Sequence, residues 1–230
     1  MMIIIIISLT ASAYIEPEYN PIYPHFIVIS LPDSERRSVM SQKLEEYDVT
    51  FEFFDGVIAT KDDIKKYKIP PWGIKEWGSV GCTLAHLNAC KYAYDKGYDN
   101  VFILEDDAKI IHENFKVFIK RPSEFINQSP INIVCREAYN GHGFVGYIID
   151  REGMEIMEHL RDNIIQNIIV GIHIDEYFLY NFMKNNNVTR ISPLSLVYQD
   201  PGLHSIRRSI DLFRNKGISF ENSRRILHTK

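Results

Sequence analysis

Three consecutive carboxylates, Glu105, Asp106 and Asp107, directly follow the apolar run 101–104. Such a run predicts a strand buried on both faces, so the charges fall where the chain leaves the sheet. Two unit charges about 5 Å apart repel each other by roughly 3 kcal/mol at an effective dielectric constant of 20. The cluster therefore needs water, a basic partner or a metal ion beside it.

The alternation of side chains along an extended segment predicts that Glu105 and Asp107 point to one side and Asp106 to the other. Two convergent carboxylates suit a hard cation such as Mn²⁺ or Mg²⁺, which keeps coordination positions open for phosphate. The carboxyl ends of strands are also where α/β sheets bind ligands. A solvated acidic loop is the other interpretation of this spacing, and the spacing alone does not exclude it.

The composition predicts a globular protein with a substantial core. The 230 residues are 45% hydrophobic and 12% aromatic, and no internal repeat or clear linker divides them. A net charge of -4 argues against nucleic acid as a partner. The three cysteines, Cys82, Cys90 and Cys135, have neither CxxC spacing nor a nearby histidine pattern, so neither a zinc site nor a disulfide framework is predicted.

Both ends of the chain differ in composition from the middle. Residues 1–24 join an apolar run to Ala11-Ser12-Ala13, which is typical of a signal peptide, but the run lacks a basic start and is too short to span a bilayer. The sequence leaves two interpretations of this segment open: a signal or weak membrane anchor, and an added edge strand or disordered extension. The location of the protein, cytoplasmic or secretory, depends on which is right. Residues 207–230 form a basic tail that either contacts an anion or is solvated.

Periodicity between these ends predicts alternating strands and helices. Strands are predicted at 26–31 and 49–54, and the helix between them has Val39, Met40, Leu44 and Tyr47 on one face and Asp33 or Ser34 as its cap. This strand, helix, strand unit favours a parallel pair in an α/β sheet. Further elements are predicted in chain order: a helix start at 60–63, a loop at 68–78, a helix at 79–96, strands at 101–104, 131–135 and 143–150, and helices at 151–160 and 173–186.

The stretch GCTLAHLNACKYAYDKGYDNVFILEDDAKI, residues 81–110, resembles the core motif of glycosyltransferase family 25. This family includes lipopolysaccharide-type glycosyltransferases and procollagen galactosyltransferases, in which a Gly-Cys-x-x-Ser-His helix precedes a strand that ends in Glu-Asp-Asp. Other blocks follow the family order and extend the resemblance over about 26–206: FIVISLPDSERR, FFDGV, GFVGYIIDREGMEIM, IDEYF and SPLSLVYQDPGLHSI.

The resemblance implies a GT-A fold over 25–206, a Rossmann-like α/β architecture with a mostly parallel central sheet. It implies a hexosyltransferase that moves a sugar, commonly galactose, from a UDP-sugar to a hydroxyl with inversion, and that uses Mn²⁺ or Mg²⁺. The acceptor is expected to be a glycan or glycoprotein, as in lipopolysaccharide biosynthesis, and membrane association has only weak support. Donor sugar, acceptor, linkage and oligomeric state are not fixed by these motifs.

The resemblance also implies roles for individual residues. Glu105 and Asp107 match the metal ligands, and His204 completes the metal shell. Asp175 matches the general base that removes the acceptor proton, with helix capping as the rival role. The remaining positions are expected at the donor nucleotide, with Arg36 or Arg37 on the pyrophosphate: Arg36, Arg37, Asp55, His86, Glu105, Asp106 and Gln199.

Two departures from the family pattern keep a second function open. Ala85 replaces the usual serine before His86, and Ser205-Ile206 lacks the aspartate that often follows. A catalytically inactive GT-A relative that binds a sugar nucleotide or a glycan would retain most of the same blocks. A phosphatase of the haloacid dehalogenase type would need a nucleophilic aspartate where this chain has Glu105.

Overall fold

The computed structural model describes residues 23–67, 77–126, 129–136, 144–169, 174 and 188–199. The strands are β1 (His25–Ser30), β2 (Phe51–Asp55), β3 (Asn100–Glu105), β4 (Ala108–Ile110), β5 (Ile131–Ile133), β6 (Gly146–Asp150), β7 (Thr189–Ile191) and β8 (Val197–Gln199). The helices are α1 (Arg36–Glu45), α2 (Lys61–Lys66), α3 (Trp77–Lys96), α4 (His112–Lys120), α5 (Arg151–His159) and α6 (Arg161–Ile169).

The main sheet has the strand order β2-β1-β3-β6-β5-β7. The pairs β1–β2, β1–β3 and β5–β7 are parallel, and β6 runs antiparallel to both of its neighbours. The predicted α/β architecture with a mostly parallel central sheet is therefore confirmed. A separate two-stranded antiparallel sheet joins β4 to β8.

The central strands are apolar because helices cover both faces of the sheet. On one face, Phe26 of β1 and Phe102 of β3 pack against Phe115 and Phe118 of α4, with ring centroids 5.2–6.2 Å apart. The opposite face of β3 and β6 is covered by α3, whose His86 contacts Tyr147 of β6. Glu105, two residues after Ile103 in β3, continues along the α3 face.

The strand register brings polar residues from the ends of three strands to the carboxyl edge of the sheet. Ser30, the last residue of β1, pairs with Asp55 of β2, and its neighbour Ile29 pairs with Glu105 of β3. Because all three strands run in one direction, their ends meet at one edge, where α/β sheets bind ligands. The turn that carries Asp106 and Asp107 leaves the sheet from this edge.

Several local predictions are confirmed. The strands β1 and β2 are parallel and joined through α1, and Met40 and Leu44 of that helix are buried. Thr60 caps α2, since its hydroxyl accepts a hydrogen bond from the backbone of Asp63, whose carboxylate in turn accepts one from the backbone of Thr60.

Other local predictions are wrong. Val39 is 49% exposed rather than part of the buried face of α1. Of the two predicted caps, Asp33 is wrong, and Glu35, the residue directly before α1, makes no side-chain capping bond. The Ser34 hydroxyl oxygen does accept from the backbone N–H of Arg36 at 3.3 Å, and the same hydroxyl donates to Asp106, so Ser34 joins the start of the helix to the acidic turn. The helix expected from residue 79 already begins at Trp77.

Some predictions fall outside the described residues: the N-terminal run 1–22, the loop over 68–76, the helix over 173–186 except for Ile174, and the basic tail. Within the described ranges, no helix combines the length and the apolar character needed to cross a bilayer.

We expect Gly81→Ala to destabilise the protein by about 1–3 kcal/mol, since overpacking a close contact costs this much. A methyl group at this position would overlap the backbone carbonyl oxygen of Val57, and backbone cannot move aside as a flexible side chain can. Urea unfolding would measure the change. Gly56→Ala is the matched control because its added carbon would lie 3.3 Å from the side chain of Leu31. Equal losses in the two variants would contradict the packing argument.

Candidate active site

Asp106 is held by the turn between β1 and α1. Its Oδ2 accepts hydrogen bonds from the hydroxyls of Ser30 at 2.7 Å and Ser34 at 2.9 Å, and its Oδ1 accepts from Arg36 at 3.2 Å. The backbone N–H of Asp106 donates to Ile29. With both oxygens bound by protein, this carboxylate fixes the turn and holds Arg36 beside the acidic cluster.

Asp107 is buried with only a partial set of partners. It is 3% exposed, and its Oδ2 accepts one hydrogen bond from Gln199 at 3.2 Å. The register of the small sheet explains this contact, since Ala108 of β4 pairs with Gln199 of β8. Within the described part of the chain, Oδ1 of Asp107 has no hydrogen-bond partner although it is buried. A buried acceptor of this kind is costly unless a ligand or a proton satisfies it.

The surroundings of Asp107 disfavour its charge. Burial, followed by repulsion from Glu105, raises the pKa of Asp107 from 3.8 to about 7, although the Gln199 hydrogen bond and the charge of Arg36 oppose this shift. A bound cation would relieve both causes, because it would replace the missing solvent and neutralise the pair.

Glu105 differs from Asp107 because two donors converge on one oxygen of the Glu105 carboxylate. Its Oε1 accepts a hydrogen bond from Nε2 of His86 at 2.9 Å and contacts Sγ of Cys82 at 3.6 Å. Burial by itself raises the pKa of Glu105, but the hydrogen bonds from His86 and Cys82 and the charge of Arg36 oppose it, and the pKa lies below the ordinary value. Glu105 is therefore the carboxylate that remains ionised.

His86 is completely buried and is fixed at both ring nitrogens. A carboxylate oxygen can only accept, so Nε2 carries the proton toward Glu105. In the neutral imidazole, Nδ1 then accepts from the hydroxyl of Tyr147 at 3.1 Å, and that hydroxyl also contacts Sγ of Cys90 at 3.6 Å. This buried chain of contacts sets the direction in which Oε1 of Glu105 faces.

Arg37 and Asp55 pair with each other at the same edge of the sheet. Arg37 donates to Asp55 and, at 2.8 Å, to the backbone carbonyl of Ser30, and its guanidinium lies 4.9 Å from the ring centroid of Phe53. This arrangement ties the end of β1 to the end of β2. Of the two arginines, Arg36 is the one in contact with the acidic cluster.

The fold thus brings together most of the positions expected at the site: Arg36, His86, Glu105, Asp106, Asp107 and Gln199, with Arg37 and Asp55 beside them. Asp175 and His204 lie outside the described residues. Sequence reasoning missed Tyr147, Ser30 and the role of Cys82. The spacing of Cys82 and His86, four residues apart on one helix, was the available signal, because such residues share a helix face.

The donor set at the end of β3 fits a hard divalent cation. Two carboxylates, Glu105 and Asp107, are close enough to affect each other's charge, and one buried oxygen of Asp107 has no hydrogen-bond partner among the described residues. Carboxylate oxygens are the ligands that Mn²⁺ and Mg²⁺ prefer. Cys82, His86 and Glu105 form an adjacent group whose ligand atoms all lie within 4.8 Å of one another.

Two solved structures align with the chain, and the first of them supports the fold. A glycosyltransferase involved in the glycosylation of the major capsid of PBCV-1 aligns with 80% of this chain and 98% of its own, with a TM-score of 0.50 and 11% identity. Mouse xyloside xylosyltransferase 1, in its apo form, aligns with 77% of this chain and 84% of its own, with a TM-score of 0.38 and 11% identity. No curated protein matches the chain.

The α/β architecture with a mostly parallel central sheet, together with the likeness to the capsid glycosyltransferase structure, gives the chain a fold of the GT-A class. The sequence profile of glycosyltransferase family 25, described as LPS biosynthesis protein, matches residues 23–140. This region contains β1, the Arg36 turn, α3 and the acidic end of β3. The chain belongs to glycosyltransferase family 25, and the protein is a glycosyltransferase.

We expect Asp107→Asn to stabilise the metal-free protein in a pH-dependent way. The folded pKa of Asp107 lies above its unfolded value, so the wild type loses stability as the pH rises from about 4 to about 7. Asparagine can still accept from Gln199 but carries no charge. Its advantage should be absent below pH about 4 and reach on the order of 2–4 kcal/mol above pH about 7.

Urea unfolding in the presence of a chelator, repeated across this pH range, measures that difference. Asp99→Asn is the control, because Asp99 is an exposed residue just before β3. A stability difference for Asp107→Asn that does not change with pH would contradict the assignment of a raised pKa.

Proposed function

We propose that the protein transfers a hexose, galactose by family precedent, from a UDP-sugar to a hydroxyl of a glycan or glycoprotein, with inversion and with Mn²⁺ or Mg²⁺ as cofactor. A lipopolysaccharide-type glycan is one acceptor of this class. One observation carries the proposal: Glu105 and Asp107 lie together at the carboxyl edge of the parallel strands, and a buried oxygen of Asp107 has no partner among the described residues.

In this proposal Glu105 and Asp107 hold the cation, with His204 as a further ligand by family resemblance. The bound cation would neutralise the charge that develops on the departing diphosphate. Asp107 would then be ionised, since the cation offsets both its burial and its repulsion from Glu105. Gln199 keeps the Asp107 side chain in place through the hydrogen bond to Oδ2.

Arg36 is the residue we assign to the donor diphosphate. It already lies beside the cluster, where its charge acts on both Glu105 and Asp107, and a guanidinium can form paired hydrogen bonds with phosphate oxygens. Arg37 has a different arrangement, since it bonds to Asp55 and to the carbonyl of Ser30. We therefore assign Arg37 and Asp55 to shaping the rim of the donor site.

Asp175 is the proposed general base. Inversion requires a carboxylate within hydrogen-bond reach of the acceptor hydroxyl, on the face opposite the departing nucleotide. The assignment comes from the family resemblance of the block IDEYF. Substituting Asp175 by asparagine would test it, with loss of transfer and unchanged UDP binding as the expected result.

A donor screen that measures UDP release with Mn²⁺ present tests the proposal. We expect Asp107→Asn and Glu105→Gln each to lower kcat/KM by at least about 100-fold, the scale of losing a charge-stabilising group at a reaction centre. Asp99→Asn removes an exposed carboxylate that precedes β3, at the end of the strand away from the site, and should retain wild-type turnover. Full turnover by Asp107→Asn would show that the cation is bound elsewhere.

Calorimetry combined with a UDP-release assay separates the enzyme from its rival, a GT-A relative that binds a sugar nucleotide or glycan without turnover. Both candidate functions predict that UDP binds more tightly with Mn²⁺ than with a chelator. Only the enzyme releases UDP from a UDP-sugar, by transfer or by slow hydrolysis. Metal-dependent binding with no release from any donor would favour the binding module.

A further inference from the structure

Cys82, His86 and Glu105 form a group of three different metal-ligand types on the α3 side of the site. Cys82 and His86 are four residues apart on α3 and so share one face of that helix. The end of β3 brings Glu105 against this face, and Sγ, the imidazole nitrogen and a carboxylate oxygen lie within 4.8 Å of one another.

We propose that this group is a binding site for Zn²⁺, distinct in chemistry from the site of the hard cation. A thiolate, an imidazole and a carboxylate are the ligands that zinc takes in proteins, and three protein ligands leave a fourth position for water. Magnesium and manganese prefer oxygen ligands, so the thiolate selects against them.

Two of the three distances between the ligand atoms are close to those of a tetrahedral site, and the third, between Cys82 and His86, is at most 4.8 Å. Zinc bond lengths of about 2.0–2.3 Å place neighbouring ligand atoms roughly 3.3–3.7 Å apart. The separation between Cys82 Sγ and Glu105 Oε1 is 3.6 Å, which already fits. The separation between His86 Nε2 and Glu105 Oε1 is 2.9 Å, so these atoms must move apart by roughly 0.5 Å. The Glu105 side chain, 23% exposed, has room to make this shift.

The buried partner of His86 suits a metal ligand. When Nε2 binds zinc, the ring proton moves to Nδ1, which lies 3.1 Å from the hydroxyl of Tyr147. That hydroxyl can accept from Nδ1 and donate to Cys90, the reverse of its role without metal. Histidine ligands usually donate their second N–H to an oxygen of this kind, which fixes the ring orientation. The thiol proton of Cys82 is released to solvent when the thiolate binds the metal.

Zinc at this group would engage Glu105, the residue that the proposed function assigns to the hard cation. Zinc would therefore weaken Mn²⁺-dependent UDP binding, a consequence that rests on the proposed function. The site itself does not depend on that function, and its test uses neither donor nor Mn²⁺.

Titration of the metal-free full-length protein with Co²⁺, a spectroscopic substitute for zinc, provides this test. Thiolate coordination should produce a near-ultraviolet charge-transfer band that saturates at one equivalent and disappears when Zn²⁺ is added. Co²⁺ bound by oxygen ligands alone would give no such band. Cys82→Ser should abolish the band, and Cys135→Ser, a change in a buried cysteine elsewhere, should retain it.

Two further variants protect the test against misfolding of Cys82→Ser. Tyr147→Phe keeps all three ligands and should weaken zinc binding about 10- to 100-fold, as measured by competition with a chromophoric chelator. His86→Gln should abolish the tetrahedral visible spectrum of the cobalt form. Circular dichroism melts establish that each variant is folded.

The absence of a charge-transfer band in the wild type would overturn the proposal, and so would a band that persists in folded Cys82→Ser. A further titration measures UDP binding in the presence of Mn²⁺, with and without Zn²⁺. It tests only whether zinc weakens Mn²⁺-dependent UDP binding. A cobalt band without an effect of zinc on UDP binding would support the zinc site and count against Glu105 as a ligand of the donor cation.

Discussion

The site is organised by the free-energy cost of removing three neighbouring carboxylates from water at the end of a central strand. The fold meets this cost differently for each of them. Asp106 receives two hydroxyls and a guanidinium, Glu105 receives an imidazole, and Asp107 receives one amide and leaves a buried oxygen without a partner in the described residues. Because charge is satisfied unequally along the triplet, the demand for a cation or a proton is concentrated at Asp107.

Elements far apart in the chain supply these partners, and the parallel register brings them to one edge. The β1–α1 turn provides Ser30, Ser34 and Arg36, whereas α3 provides His86. The small β4–β8 sheet adds Gln199 from the other end of the described chain. This gathering of side chains depends on the aromatic and aliphatic packing that covers both faces of β1 and β3. Anchoring the side chains on packed strands and helices suits a site that must hold a charged ligand in one position.

Glu105 lies between two groups of side chains with different metal preferences. Its neighbours in the turn are hard oxygen ligands, and its neighbours on α3 are a thiol and an imidazole. A carboxylate can serve a cation on either side, so the character of the other ligands decides which metal binds. The family establishes a glycosyltransferase, and under the two proposals the use of this one side chain would depend on which metal is bound.

The sequence by itself determined the features that depend on neighbours in the chain. These were the strand before the acidic triplet, the capping box of α2 and the parallel β1–β2 unit, while the family motif indicated the GT-A class. Tertiary structure decided that Ser34 bonds to Asp106 as well as to the backbone of Arg36, that Arg36 and not Arg37 contacts the cluster, and that Tyr147 supports His86. Residues 61 or more positions apart make the last two contacts, Arg36 with Asp106 and His86 with Tyr147. Local propensity carries no information about such pairs, because strand register and helix packing determine which distant side chains meet.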